Sequence, residues 1–419
     1  MPAESGQEAT IGDRLAGIRR RRTLTQEQLA EASGVSVETI RKLEQNERTS
    51  ARVATLNKLA RALGVPTSSL FGTSGRPLAR REVDDDDVGL VALRQILTPA
   101  RSIRSATVPL PEPRPPSLDE VNEAIWTIDR AYHADDYATA LTTLPVLLAD
   151  ATAAVQFVPN GQPESALRAL SQAHQLAGTV LIQTRKFDLA HRALDRALDA
   201  ADTVGDDLLG AATVVSLCWL LLREGRLDEA ENLAVATADA IEPSFRRAGP
   251  EHLATWGWLL LRAAAAAVRN NRDDRATELL DAAAAAAIRV AGTGRPVGTS
   301  APATVGTFGT VTVAMKRVEA AVIAGDTHRA LALAGTVRGV DRPTSNNRNR
   351  YLLDVAHAQV DQRRYGKATA TLRRVLDDAP SWLRHQRYAR DIVETLLAAR
   401  HRAVSEELAA LAGAVGLEL

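Results

Sequence analysis

The chain has 419 residues, 45% of them hydrophobic, with 51 Lys and Arg balanced by 51 Asp and Glu, and one cysteine. That length allows two to three domains; the neutral balance by itself argues for no particular partner, and a lone thiol excludes an internal disulfide and any multi-cysteine zinc site. The eight His fall at no metal-ligand spacing, no Gly-rich phosphate loop precedes a helix, and no nucleophile–base–acid order stands out, so no catalytic residue, metal or cofactor is expected.

The distribution of charge is more informative than its sum. Residues 10–72 hold eleven Lys and Arg against six Asp and Glu, five positive in net, which leaves the remainder five negative. Such a basic block on an acidic chain is an adequate electrostatic footprint for a small DNA-binding domain. Only five basic residues are Lys, so the abundance of Arg beside Ala-rich runs reads as compositional bias, not as evidence for nucleic acid. The first ten residues show no signal-peptide pattern. No apolar run reaches the roughly 18 residues a membrane span needs; the best candidate, "WGWLLLRAAAAAV", is broken by Arg262, and the expectation is a cytoplasmic protein without a membrane partner.

Ile11, Leu15 and Ile18 form a one-sided apolar stripe that ends in Arg19-Arg20-Arg21-Arg22. Thr25 and Gln28 make a capping box, which starts a helix at Gln26. Leu29 and Ala30 supply its buried face, Gly34 ends it and Val35 plugs the corner. Ser36 caps a second helix whose Ile40 and Leu43 face inward. Val37, Glu38, Thr39, Arg41 and Lys42 are left pointing away from that core. Leu56, Leu59, Ala60 and Leu63 make a further stripe, ended by Gly64 and followed by a short helix near Pro66–Leu70. Two short helices across a tight Gly turn, the second with a polar outer face, predict helix-turn-helix geometry within four to five short helices.

The joint pattern "IGDRLAGIRRRRTLTQEQLAEASGVSVETIRKLEQ…LNKLARALGV" resembles the Cro/phage-repressor (XRE) family of helix-turn-helix domains over residues 10–72. The resemblance implies roles for particular residues. Gln26 bonds a phosphate and buttresses the reading helix; Val37, Glu38 and Lys42 hold base-edge positions; Ser36, Thr39 and Arg41 lie toward the backbone; Arg48 and Arg52 reach flanking phosphates. Lys42 suits guanine, Glu38 cytosine and Val37 a thymine methyl. Arg19 and Glu44 hold positions that the family pairs as an ion pair locking the first helix to the third. Asn46 stands where relatives often have Gly.

Residues 73–117 read as a linker, with the acid run Asp84-Asp85-Asp86-Asp87, a short apolar segment "VGLVALRQIL" and the Pro-rich "VPLPEPRPPS". From residue 118 to the end the chain is helical and repetitive. A charged or Gly break, then one apolar or aromatic residue, then an alanine three further on recur around Ala140, Ala190, Ala230, Ala276, Ala330 and Ala368. A seventh pair is expected from "SWLRHQRYARDIVETLLAAR" and "AVSEELAALAGAVG". The repeat resembles a degenerate tetratricopeptide array. The expected fold is all-α: the helix-turn-helix domain, then a right-handed solenoid of about seven helix pairs with the first helix of each lining the inner face. Cys218, in "VVSLCWLLL", is expected to be a buried, inert thiol.

Residues 292–307 interrupt the rhythm with a Gly-, Thr- and Pro-rich stretch that suits a movable lid. The following "FGTVTVAMKRVEAAVIAGD" resembles a segment of actinobacterial regulators built from the same two domains, and the whole arrangement resembles the peptide-pheromone receptors of Gram-positive bacteria. Polar and aromatic residues of the first helices mark a groove for a peptide or small-molecule effector: Arg168, Gln172, Trp256, Arg262, Phe308, Thr312, Asn347 and Arg350. One helix-turn-helix module makes too few contacts for tight specificity, so a homodimer on a pseudo-palindromic double-stranded operator is expected. The resulting expectation is a sequence-specific transcription regulator. The alternative is a repeat-based scaffold or adaptor whose helix-turn-helix contacts only protein.

Overall fold

The protein's structure, a computed structural model, describes residues 10–47, 51, 53–71, 89–99, 117–157, 163–292, 307–340, 345–399 and 404–417. Among the described residues every regular element is a helix; the helices are numbered below in chain order.

Five short helices open the chain: α1 Ile11–Arg21, α2 Gln26–Ser33, α3 Val37–Glu44, α4 Val53–Leu63 and α5 Ser68–Phe71. Thr10 and Thr25 head α1 and α2 with complete capping boxes, closed by Asp13 and Gln28. Gly34 ends α2 in the left-handed region at φ 65°, and the Ser36 hydroxyl accepts the Thr39 amide to start α3. Leu15, Leu29, Ile40, Leu43, Leu56, Leu59 and Leu70 are fully buried between these helices. α1 crosses α3 so closely that a Cβ on Gly12 would lie 2.0 Å from the Leu43 carbonyl oxygen. Only glycine fits there. The helix-turn-helix expected from the caps and stripes is the fold observed.

Twelve helices then form six antiparallel pairs: α7 Leu118–His133 with α8 Tyr137–Phe157, α9 Pro163–Gln183 with α10 Phe187–Val204, and α11 Asp207–Glu224 with α12 Leu227–Ala240. α13 Pro250–Arg269 pairs with α14 Asp273–Gly292, α15 Thr310–Ile323 with α16 Thr327–Thr336, and α17 Ser345–Asp361 with α18 Tyr365–Asp378. All six turns share one construction. The residue two before the second helix has a left-handed backbone: Asp135, Arg185, Gly225, Asn271, Gly325 and Arg363, at φ 55–83°. The next amide donates back five residues at 2.8–3.0 Å, which satisfies a carbonyl at the end of the first helix. The repeat alanine is then the fourth residue of the second helix in every pair, at most 2% exposed, where a larger side chain would force the two helices apart.

Inside the expected linker, the apolar segment is a single helix, α6 Gly89–Leu97, that docks on the repeats, with Leu90, Leu93 and Leu97 buried and the Ile96 carbonyl accepting from Arg196 Nη1 at 2.8 Å. The acid run and the Pro-rich segment lie outside the described residues. The expected first helix of a seventh pair is split into α19 Pro380–Arg384 and α20 Arg387–Ala398, followed by α21 Glu406–Ala414. Gln386 at the break is buried, and its Nε2 donates to the Trp382 carbonyl at 3.2 Å, closing the first segment on itself.

α8, with 21 residues and mean hydropathy 1.5, is long and apolar enough by those measures to cross a membrane, although the sequence reading singled out no such stretch. Here it is the second helix of the first pair, with Tyr137, Ala140, Leu144, Leu148 and Ala151 packed inward. Cys218 is fully buried in the repeat core, and burial pushes its thiol up to about 12, far from the thiolate that reactivity requires.

Candidate nucleic-acid interface and a charged cleft

α3 presents its polar face to solvent. Val37 is 36% exposed, and the Glu38 and Lys42 side chains are 66% and 44% exposed. Lys42 Nζ lies 2.6 Å from Glu38 Oε1, and the bond and charge of Lys42 lower the Glu38 carboxyl. Arg41 is exposed beside them. Ser36 and Thr39 are joined through their hydroxyls at 2.8 Å, so both serve the cap as well as the outer surface. Arg48 and Arg52 lie outside the described residues.

The reading helix is held from behind. Arg19 Nε and Nη2 each donate to a Glu44 oxygen at 2.7 Å, with side chains 11% and 5% exposed. Arg19 Nη1 donates to the Leu24 carbonyl at 2.8 Å, and Gln26 Nε2 donates to Glu44 Oε2 at 2.8 Å. Burial pushes the Glu44 carboxyl up, but the Arg19 and Gln26 bonds and the Arg19 charge override it and leave it lowered. α1, α2 and α3 are thus tied at one carboxylate, and Gln26 is turned inward to it. Asn46, at φ 58°, occupies the left-handed position after α3 that asparagine tolerates in place of glycine.

The DNA-binding domain is seated on the turn between α13 and α14. Asn57 Nδ2 donates to the Arg269 carbonyl at 2.5 Å and to Asn271 Oδ1 at 3.1 Å; Thr67 Oγ1 donates to the same carbonyl at 2.7 Å. Asn271 Nδ2 returns a bond to the Val65 carbonyl at 3.0 Å, and Arg61 pairs with Asp273 at 2.9 Å. Nothing in the sequence pattern marked these residues; they are isolated polar side chains on α4 and in a turn.

On its other side Arg269 enters a charged cleft. Its Nη2 donates to Glu319 Oε1 at 2.5 Å, and Lys316 Nζ donates to Glu319 Oε2 at 2.7 Å. Glu319 lines a narrow, nearly filled cleft between α15 and α17, with Thr312, Lys316, Asn347, Arg350 and Asp354 among its walls. Burial opposes ionisation of Glu319, yet Lys316, Arg269 and Arg350 hold its carboxyl well below the ordinary range. Asp354, 1% exposed, is pushed up to about 6 by burial against the pull of Arg350.

Of the eight residues the sequence assigned to an effector groove, Thr312, Asn347 and Arg350 come together in this cleft. Arg262 is close enough to act on Lys316 electrostatically; its Nε donates to the Val215 carbonyl at 3.1 Å, and its guanidinium lies over the rings of Trp219 and Trp258. The other four are placed elsewhere. Phe308 is a core residue, 4% exposed, with its ring over Gly257, where a Cβ would lie 2.0 Å from the ring. Trp256 stands edge-on to Phe245 at 5.6 Å. Arg168 is paired with Asp206 at 2.9 Å, and Gln172 is half-buried on α9; neither lines the cleft. Residues 293–306 of the expected lid lie outside the described residues. Lys316, Glu319, Asp354 and Arg269 had escaped the sequence reading, because each looks like one more charge on a helix.

Residues 15–70 match the model of the helix-turn-helix family. The chain is 44% identical over 65 residues to the uncharacterized HTH-type transcriptional regulator RghRB of Bacillus subtilis (strain 168), covering 16% of this chain and 47% of that protein. It is 39% identical over 66 residues to the HTH-type transcriptional repressor RghR of the same organism, covering 16% and 49%. The chain thus spans about half the length of the curated relatives it matches. Among solved structures, it is similar to a Rap protein complexed with Competence and Sporulation Factor, with 11% identity, a TM-score of 0.44, and 72% of this chain and 87% of that one covered. It is also similar to Bacillus thuringiensis PlcR in complex with the peptide PapR7 and DNA, with 10% identity, a TM-score of 0.32, and 87% and 99% covered. The capped helices, the buttressed α3, the family model and the two Bacillus relatives agree on one point: residues 15–70 are a helix-turn-helix domain of the type found in Bacillus transcription regulators.

Proposed function

We propose that the chain is a cytoplasmic, dimeric, sequence-specific DNA-binding transcription regulator whose repeat domain receives an effector. The observation that carries the reading is α3. Its Val37, Glu38, Arg41 and Lys42 face is open to solvent, while Arg19, Gln26 and Glu44 fix its angle from within. That combination suits a helix laid into a major groove, where Lys42 donates to guanine, Glu38 accepts from cytosine and Val37 meets a thymine methyl. Glu38 and Lys42 hold each other until base edges replace that bond. The role of one relative, RghR, as a transcriptional repressor supports the DNA-binding half of the reading.

Control by the repeat domain is supported by Arg269, which links the two sites. Its side chain is bound to Glu319 in the cleft, and its carbonyl holds Asn57 and Thr67 of the DNA-binding domain. A ligand that rearranges the Glu319 cluster therefore bears on the seat of the helix-turn-helix, and so on the spacing of two such domains in a dimer. No step of this mechanism calls for catalysis. Selection from randomised duplexes by the full chain tests the proposal. Enrichment of a motif with two-fold symmetry and half-sites about one helical turn apart is expected. Recovery of random sequence would leave the chain a scaffold.

A further inference from the structure

We propose that Asn46 is a positioning residue for DNA recognition: its side chain ties the C-terminal end of α3 to the N-terminal cap of α1 and so sets the angle at which α3 is presented. The inference rests on the reading of α3 as the helix that meets base edges. Asn46 lies two residues past the end of α3 with a left-handed backbone, φ 58°. Glycine adopts that backbone freely, whereas asparagine only tolerates it. If the turn alone mattered, glycine would serve better. What asparagine adds is a side-chain amide, and that amide has partners.

Thr10 Oγ1 lies 2.6 Å from Asn46 Oδ1 and 2.8 Å from Asp13 Oδ2, so its single hydrogen is shared between them, while the same oxygen accepts the Asp13 amide at 3.0 Å. Asn46 Nδ2 donates to Asp13 Oδ1 at 3.4 Å. Asn46 thereby joins the capping box that starts α1. The Asp13 carboxyl responds: bonds from Thr10, and then from Asn46, hold it below its ordinary value.

Two features show why this contact governs an angle. Directly beside it α1 and α3 meet backbone to backbone at Gly12, where a Cβ would lie 2.0 Å from the Leu43 carbonyl oxygen and 2.9 Å from Asn46 Oδ1. In the last turn of α1, Arg19 grips Glu44. A lone grip is a pivot. Thr10 and Arg19 stand roughly 13 Å apart along α1, at about 1.5 Å per residue, and grips that far apart stop α3 from swinging about either. Thr10, Asp13 and Asn46 are all exposed, so cutting the tie strands no buried polar group. The domain should keep its stability and lose its aim.

The test compares the full chain with Asn46→Gly, which keeps the turn and deletes the amide, on a duplex selected by the unmodified chain and on random duplex. A net hydrogen bond is worth a factor of about two to ten, so affinity for the selected duplex should fall about three- to ten-fold while that for random duplex holds within about two-fold. The salt slope should be unchanged, because no phosphate contact is lost. Hydrogen exchange of the α2 and α4 amides should stay within about three-fold, which separates lost aim from lost fold. Asn46→Asp turns the donor facing Asp13 into a second carboxylate and should lose at least as much. Asp13→Asn in that same chain returns a donor to the pair and should recover most of the loss. Undiminished discrimination in Asn46→Gly, a loss equal on both duplexes or matched by faster exchange in α2 and α4, or no recovery in the swapped pair overturns the proposal. Failure of the unmodified chain to select any motif overturns the regulator reading and this inference with it; a motif held equally by Asn46→Gly overturns this inference alone.

Discussion

Replacing Arg19 by Met, which keeps most of the buried stem and removes the guanidinium, is expected to loosen the whole DNA-binding domain. Three charge-assisted hydrogen bonds of 2.7–2.8 Å disappear, two to Glu44 and one to the Leu24 carbonyl. Glu44, 5% exposed, is left with the single neutral donor of Gln26. Removing one partner of a buried ion pair costs about 3–5 kcal/mol; with Gln26 still in place, about 3 kcal/mol is expected. A domain of this size has on the order of 5 kcal/mol in all, so the variant keeps its fold only marginally. Hydrogen exchange on the full-length chain reads this directly: amides of α1 and α3 should exchange roughly a hundred-fold faster, while those of α9–α14 stay as they are. The sign of the pH dependence follows from Glu44, whose carboxyl is lowered on folding. Its contribution is present above the ordinary carboxylate value and lost as pH falls through the folded value. Arg19→Met should therefore abolish the acid sensitivity of α1 and α3 protection in that window. Unchanged protection in α1 and α3 would refute the locking role assigned to the pair.

Three further outcomes follow from other parts of the molecule. Gly257→Ala places a methyl 2.0 Å from the Phe308 ring and should lower stability by about 1–3 kcal/mol, as overpacking does, with Phe308→Ala in the same chain restoring part of the loss in urea unfolding. Asn57→Ala with Thr67→Val removes the bonds to the Arg269 carbonyl; affinity for a selected duplex should change while the helical content of both domains stays constant, and identical affinity would show that the seat carries no regulation. His174, 3% exposed, has its imidazole pushed down to about 3 by burial and then by Arg196, so the unfolded chain takes up its proton first and stability falls as pH drops from about 6.5 toward that value. His174→Gln should reduce the slope of stability against pH there by up to about 1.4 kcal/mol per unit.

How much of this was legible in the sequence depended on whether a feature is local. The caps at Thr25 and Ser36 and the Gly34 turn are legible because each is fixed by its neighbours, whereas the Arg19–Glu44 pair is implied only by the family resemblance. The repeat alanines were legible for the same reason, since close helix contact tolerates little else. The turns before them were less so: left-handed backbone falls on Asp135, Arg185, Asn271 and Arg363 as well as on two glycines, so glycine marks only part of the repeat. The charged cleft was nearly invisible. Its walls stand on α15 and α17 and are reached by Arg269 of α13, tens of residues apart, in a chain where Arg is common everywhere. Only packing shows that Arg269, Lys316 and Arg350 meet around Glu319. α6 is legible as a single docking helix inside the linker from its own Leu90, Leu93 and Leu97 spacing, but the partner it docks on is not.

The central claim is that α3 reads base edges, and the most direct test is the affinity of the full chain and of its Lys42→Ala variant for a selected duplex and for random duplex, by fluorescence anisotropy at one salt concentration. Lys42 is half-exposed and, among the described residues, pairs with Glu38 on the same helix, so its removal leaves the domain core untouched. A loss of about 1–3 kcal/mol on the selected duplex is expected, with relaxed preference at one base pair and a far smaller loss on random sequence. Equal losses on both duplexes, or no loss on either, would contradict the claim.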